Sequence, residues 1–133
     1  MSYRFGSRSR GRLSTCHPKL QVILARAMSY QIMDFTIVCG HRNEADQNEA
    51  HAIGASTKKW PNSNHNDFPS NAVDVAPWPI DWNDHLAFSR LAGIIEAAAA
   101  ESGTLLRWGG DWDRDGGSRD QSFMDIGHLE IKE

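Results

Sequence analysis

The sequence predicts an α+β fold in which a small, mainly antiparallel sheet is flanked by helices. Two long segments place apolar residues at helical spacing, and several short segments show the alternation or β-branched content of strands. These elements do not alternate regularly along the chain, which disfavours a parallel sheet built from βαβ units. With 133 residues, 40% of them hydrophobic, the chain can bury one core, so we expect a single domain over residues 1–133.

The helices are predicted from apolar periodicity and capping residues. Residues 18–28 have apolar side chains at helical spacing, and Thr15 is the predicted N-cap. The longest helix is expected over residues 82–100, where the Ser102-Gly103 pair ends it. Residues 43–52 are polar and contain alanine, which predicts a short exposed helix.

The strands are predicted from short apolar runs separated by turn-forming residues. We expect strands at 35–39, 71–76, 105–108 and 128–131, with a polar loop from 56 to 70 between the first two. Because alternate side chains of a strand share a face, Val73 and Val75 should point into the core while Asp74 points to the other side.

Charge and composition exclude several classes of function. The net charge is -3, without the clustered basic excess that nucleic-acid binding requires. No apolar run is long enough to span a bilayer, and no signal-peptide core is present, so we expect a cytosolic protein that does not insert into membranes. The two cysteines, Cys16 and Cys39, lack the spacing of a disulfide scaffold and are predicted to be free, buried thiols.

The N-terminal segment, residues 1–12, is rich in arginine, glycine and serine. Its composition favours a flexible, solvated arm. The alternative is a weak attraction to an anionic polymer through its basic residues, which are Arg4, Arg8, Arg10 and Arg12.

Three separated segments contain residues that suit a catalytic metal site. Asp74 projects from a predicted strand, His128 and Glu130 share the outer face of another strand, and His65 lies in the polar loop. Taken singly, each has an ordinary alternative: a turn-forming aspartate, a surface histidine or a solvated loop histidine. Together, two histidines and one aspartate supply the three protein ligands of a catalytic zinc site with an open fourth position.

The order of these motifs resembles a known family of zinc peptidases. The pattern comprises Gly40-His41-Arg42-(x)4-Gln47, Ser63-x-His65, Ala72-Val73-Asp74 and Asp125-x-x-His128-x-Glu130. The family includes D-alanyl-D-alanine carboxypeptidases and phage L-alanyl-D-glutamate endopeptidases, and its fold is also described as hedgehog-like. The segments His17-Pro18-Lys19-Leu20, Asp74-Val75-Ala76-Pro77 and Arg107-Trp108-Gly109-Gly110-Asp111-Trp112 point to the phage endolysin branch.

The resemblance implies a role for each matching residue. Zn²⁺ is held by His65, Asp74 and His128, and the catalytic carboxylate is Asp125. Substrate is bound by Arg42, which also belongs to the catalytic set, and by Gln47. For Glu130 two interpretations stay open: a partner that orients a ligating imidazole, or a solvent-exposed acid.

The implied activity is hydrolysis of the L-Ala-D-Glu bond of bacterial peptidoglycan by a monomeric endolysin. Such an enzyme waits in the host cytoplasm until it is released to the cell wall. A D-alanyl-D-alanine carboxypeptidase is the nearest alternative, and a zinc-dependent wall-binding module without catalysis is the alternative from another class. Two departures from the family pattern are the nine-residue spacing from His65 to Asp74 and an aspartate at 125 where carboxypeptidases commonly have glutamate.

Two further patterns have no assigned role in this chemistry. Asp111, Asp113 and Asp115 followed by Gly116 match the start of a calcium loop, but Ser122 stands where the loop requires a bidentate glutamate. We therefore keep a Ca²⁺ site and an acidic solvated loop as alternatives. The five tryptophans are expected mostly in the core or in the wall of a binding groove.

Overall fold

The computed structural model describes residues 2–112, 114 and 125–132. Its strands are β1 (Phe35–Cys39), β2 (Ala72–Pro77), β3 (Leu106–Gly109) and β4 (Asp125–Ile131). They form one sheet in the order β1-β2-β4-β3, and every neighbouring pair is antiparallel. The predicted α+β fold with a small antiparallel sheet is confirmed.

Four helices and one 3-10 turn accompany the sheet. They are α1 (Ser7–Leu13), α2 (Pro18–Ser29), α3 (Glu44–Ala52), α4 (His85–Glu101) and the 3-10 turn Asn64–Asn66. The N-cap of α2 is His17, whose side chain accepts from the Lys19 amide at 3.0 Å, so the prediction of Thr15 was wrong. The hydroxyl of Thr15 instead donates to the Arg12 carbonyl and accepts from the His41 amide. In the part of the chain that the structure describes, no helix combines the length and apolar content that crossing a bilayer requires.

The core lies between the two long helices and one face of the sheet. The apolar faces of α2 and α4 pack on each other, and α4 also contacts β2, β3 and β4. Val73 and Val75 point into this core as predicted, and Leu129 is fully buried beside them. Burying a side chain of this size contributes about 1.5–3 kcal/mol. The core therefore holds β2 and β4 firmly, and Asp74 and His128 project from these two strands.

The second half of the N-terminal segment is helical where the sequence predicts a flexible arm over residues 1–12. Helix α1 packs on β1, because the hydroxyl of Ser9 accepts from the Ile37 amide at 3.0 Å and Arg12 donates to the Ile37 carbonyl at 3.0 Å. Phe5 packs edge-to-face on Phe35, with ring centroids 5.2 Å apart. A few anchoring contacts thus order a segment whose composition alone favours disorder.

Candidate metal and active site

Asp74, His128 and His65 converge in one cleft although they come from three separate elements. Asp74 lies in β2, and the strand register pairs it with Cys39 of β1 and His128 of β4. His65 reaches the same point from the 3-10 turn that precedes β2. The cleft has a volume of about 470 Å³, and all three side chains line it.

The three side chains lie at hydrogen-bonding distance from one another. Asp74 Oδ1 is 3.1 Å from His65 Nε2 and 3.0 Å from His128 Nδ1. The two imidazole nitrogens are 3.3 Å apart. The three residues that the sequence groups together are therefore brought together by the fold.

The orientation of His65 is fixed by its backbone surroundings. The Ser63 side chain accepts from the His65 amide, and Asn66 completes a capping box around the same turn. The ring Nδ1–H donates to the Gly40 carbonyl at 2.7 Å. Since a carbonyl oxygen only accepts, Nε2 is the nitrogen that faces Asp74. Gly40 itself has no space for a side chain, because a Cβ would lie 2.5 Å from the Arg12 carbonyl oxygen.

The orientation of His128 is fixed by a chain of charged side chains. Its Nε2–H donates to Glu130 Oε1 at 2.7 Å, and Arg107 Nη2 donates to Glu130 Oε2 at 2.6 Å. Glu130 is buried, with 6% of its surface exposed, so it is not a solvated surface acid. Although burial alone would raise the pKa of Glu130, the hydrogen bonds from His128 and Arg107 lower it to about 2. An ionised Glu130 therefore keeps the proton on Nε2 and directs Nδ1 at Asp74.

The shared carboxylate of Asp74 governs the electrostatics of the cleft. Burial would lower the pKa of both histidines, but attraction and hydrogen bonding to Asp74 outweigh it and raise the pKa to about 10 for His65 and about 9 for His128. Burial would raise the pKa of Asp74, yet the two imidazoles hold it well below its usual range. The site therefore concentrates positive charge around one carboxylate, an arrangement that a bound cation can replace.

Asp125 lies beside this group at the start of β4. One carboxylate oxygen lies within 4.8 Å of the ligand atoms of Asp74 and His128, and the side chain lines the cleft. Burial and the charge of Asp74 raise its pKa, against the opposing effects of His128, His65 and Arg42. A carboxylate with a raised pKa is suited to accepting and returning a proton.

Arg42 lies beside Asp74 and also lines the cleft. Its Nη2 is 3.5 Å from Asp74 Oδ2, and its Nη1 donates to Gln47 Oε1 at 3.0 Å. Gln47 is fully buried and is not part of the cleft wall. Helix α3 thus places Gln47 against Arg42 and outside the cleft wall, and its contact with substrate stays a prediction.

Cys39 is a neighbour of the site that the sequence interpretation missed. Its Sγ lies within 4.8 Å of the ligand atoms of His65 and Asp74, so these three form a second group able to hold a metal. Both cysteines are free, as predicted, although Cys39 is only half-buried. The clue lies in the register of β1 and β2, since a β-bulge between Ile37 and Cys39 sets Cys39 opposite Asp74. No local sequence motif specifies that register.

The segment that follows β3 carries Trp112 and the first of the predicted calcium residues, Asp111. Trp112 lines the cleft, with its ring centroid 5.6 Å from that of His128. Asp111 is buried, whereas Asp113 and Asp115 lie outside the described residues. The expectation was that the tryptophans lie mostly in the core or in a groove wall; Trp112 lines the cleft, whereas Trp78 and Trp82 do not line it and are 58% and 50% exposed.

Comparisons with known proteins identify the family of the chain. The model of the family described as phage L-alanyl-D-glutamate peptidase matches residues 1–132. The chain is 37% identical to the L-alanyl-D-glutamate peptidase of Escherichia phage T5, over 98% of this chain and 99% of that protein. The crystal structure of the L-Ala D-Glu endopeptidase ChiX from Serratia marcescens is similar with a TM-score of 0.76 and 26% identity, over 97% of this chain and 90% of that one. The chain thus belongs to the family of phage L-alanyl-D-glutamate peptidases.

Proposed function

We propose that this protein is a zinc-dependent endolysin that hydrolyses the L-Ala-D-Glu bond of peptidoglycan stem peptides. The observation that carries the proposal is the cleft in which Asp74 Oδ1, His65 Nε2 and His128 Nδ1 lie 3.0–3.3 Å apart. Membership of the peptidase family supplies the reaction class, and the names of the relatives supply the bond.

The donor set fits a tetrahedral metal site. Ligands about 2.0–2.1 Å from a tetrahedral Zn²⁺ are separated by about 3.3 Å, which is close to the separations of the three donor atoms. The tautomers fit as well, because Gly40 and Glu130 each bind the N–H of one ring and leave the other nitrogen facing the shared point. Two nitrogens and one carboxylate oxygen favour Zn²⁺ over Ca²⁺ or Mg²⁺, which prefer oxygen ligands.

The residues around that position have complementary roles in amide hydrolysis. When bound, Zn²⁺ would lower the pKa of water from about 15.7 to roughly 7 and polarise the scissile carbonyl. Asp125 accepts the proton of the attacking water on its carboxylate and returns it to the leaving amine. Arg42 presents a guanidinium to the cleft, and this group binds a substrate carboxylate through paired hydrogen bonds.

A single chain supplies every residue of this mechanism, so we propose that a monomer is active. We also propose that the protein is made in the host cytoplasm and acts when it is released to the cell wall, as expected of a phage endolysin. The predicted Ca²⁺ site at Asp111, Asp113 and Asp115 stays a prediction.

Mass spectrometry of digested Gram-negative sacculi tests the proposal. We expect products whose new amino terminus is D-Glu, with activity lost on chelation and restored by Zn²⁺. Release of free D-Ala as the main product would instead assign the D-alanyl-D-alanine carboxypeptidase activity. Binding to sacculi without any cleavage would assign the non-catalytic wall-binding module.

A further inference from the structure

A second large cavity, of about 600 Å³, lies between α1, β1 and the segment that follows β2. Its wall carries three arginines, one carboxylate and an exposed tryptophan, and none of these takes part in the proposed mechanism. We refer to it as the arginine groove. It is lined by Arg4, Arg8 and Arg12 on one side and by Asp34, Trp78 and Ile80 among the other residues.

The charge of the arginine groove is not balanced by the protein. Three guanidinium groups face one carboxylate, that of Asp34, and no salt bridge within the described ranges involves any of the four. Arg8 and Arg12 are four residues apart on α1, an arrangement of like charges that destabilises a helix. Arg4, Arg8 and Arg12 are all exposed, and of the three Arg12 is anchored by its bond to the Ile37 carbonyl. An anionic ligand would compensate for this repulsion.

The groove also offers an aromatic surface and a concave shape. Trp78 is 58% exposed and Ile80 is 40% exposed at its wall. A tryptophan face beside guanidinium groups suits a ligand that combines sugar rings with carboxylates. The concave wall fits a polymer chain better than the flat surface of a bilayer, which would contact a convex apolar face.

Strand β1 connects the arginine groove with the cleft. Phe35, Thr36 and Val38 line the groove, and Cys39 at the end of the same strand lies opposite Asp74. Four residue steps along a strand cover about 13 Å. A polymer can therefore occupy both places at once, whereas a tripeptide of about 10 Å bound in the cleft is too short to extend along the groove as well.

We propose that the arginine groove binds a second segment of the peptidoglycan strand whose stem peptide occupies the cleft. Carboxylates of a neighbouring stem peptide contact Arg4 and Arg8, and a glycan ring packs on Trp78. This proposal rests on the proposed function, because the polymer bound in the groove is the substrate of the cleft.

The test compares Arg4→Gln/Arg8→Gln and Trp78→Ala with the matched charge control Arg26→Gln/Arg90→Gln, which removes two exposed arginines outside the groove. Cosedimentation with purified sacculi is measured in an Asp125→Asn background, so that the polymer stays intact. We expect each groove variant to bind sacculi about five- to tenfold more weakly than the parent. Binding of the double arginine variant should also depend less on salt concentration than binding of the parent. The charge control should bind like the parent.

Cleavage of a soluble L-Ala-D-Glu-containing tripeptide is measured in parallel, with the natural Asp125 in place. We expect the same rate for the parent and the groove variants, which also shows that the variants fold. Failure of the parent to cut the tripeptide would reject the proposed function without deciding on the groove. Three results would each overturn the groove proposal. The first is that the groove variants sediment with sacculi like the parent, and the second is that the charge control loses as much binding as the groove variants. The third is that the groove variants lose binding to anionic phospholipid vesicles but not to sacculi.

Discussion

Glu130 and His128 are two residues apart on β4, and their side chains meet on the same face of the strand, with Oε1 2.7 Å from Nε2. The pairing follows directly from strand geometry, since residues i and i+2 share a face. Arg107 on the neighbouring strand β3 holds the second oxygen of the same carboxylate at 2.6 Å. The sheet therefore fixes the orientation of the His128 imidazole ring.

Replacing Glu130 should weaken zinc binding through the orientation of His128. We expect Glu130→Gln, which keeps an acceptor oxygen, to lower zinc affinity about tenfold, and Glu130→Ala to lower it about 100-fold. Competition with a chromophoric chelator measures the affinity. Glu101→Gln, an exposed acid at the end of α4, is the control and should bind zinc like the parent. Parental affinity in Glu130→Ala would contradict the orienting role.

Asp125→Asn should separate metal binding from catalysis. The amide fills the same space but cannot take a proton from water, so we expect cleavage of the soluble peptide to fall by about 10²–10⁴-fold. Zinc content, measured by atomic absorption, should stay at the parental level. Asp46→Asn removes an exposed carboxylate on α3 and should leave both quantities unchanged. If Asp125→Asn lost its zinc, Asp125 would be a ligand rather than a proton acceptor.

Cys16 should make stability depend on pH in the alkaline range. The side chain is buried, and burial together with the nearby Cys39 raises its pKa to about 12. In the unfolded chain the thiol titrates near about 8.5. The folded state binds the thiol proton more tightly than the unfolded state does. The stabilisation that follows from this difference is fully present below about pH 8.5 and is lost as pH rises towards 12.

Urea unfolding of the parent and Cys16→Ala between pH 8 and pH 11 measures this contribution. Both proteins lose stability through other titrating groups, so the prediction concerns the difference between them. The free energy of unfolding should fall more steeply with pH in the parent. Parallel pH profiles would show that the thiol titrates alike in the folded and unfolded states.

Sequence patterns predicted the main helices and strands and grouped the candidate ligands, because both are marked by local sequence features. The apolar periodicity of α2 and α4 and the alternation around Asp74 are properties of single segments. The motif order was enough to group His65, Asp74 and His128. Helix α1 was missed because the contacts that order it, from Ser9 and Arg12 to Ile37, lie far apart in the chain.

Two features of the site that the sequence did not reveal, the position of Cys39 and the burial of Gln47, depend on contacts between elements. Cys39 reaches the site only through a bulged strand register. Gln47 lies in a polar helix whose composition predicts exposure, yet it is fully buried. Its burial follows from four polar partners supplied by other segments, which are Arg42, Ser56, Lys58 and Asn66. Such a network has no periodicity that a single sequence can reveal.

Gln47 should act on catalysis by positioning Arg42. Its Oε1 accepts from Arg42 and Asn66, while its Nε2 donates to the Lys58 carbonyl at 2.6 Å. In Gln47→Leu these partners lose their bonds in a buried environment, so we expect a loss of about 1–3 kcal/mol in the free energy of unfolding. Because Arg42 is then no longer held, KM for the soluble peptide should rise more than kcat falls.

The acidic variant separates positioning from general stability. Gln47→Glu keeps an oxygen for Arg42 but loses the donor to Lys58, so it should be destabilised while KM stays near the parental value. Gln21→Leu, which removes one bond to the Cys16 carbonyl and none to Arg42, should lower stability without raising KM. Urea unfolding and steady-state kinetics on the same preparations measure both quantities. If KM rose in proportion to destabilisation in all three variants, Gln47 would be a structural residue with no specific effect on Arg42.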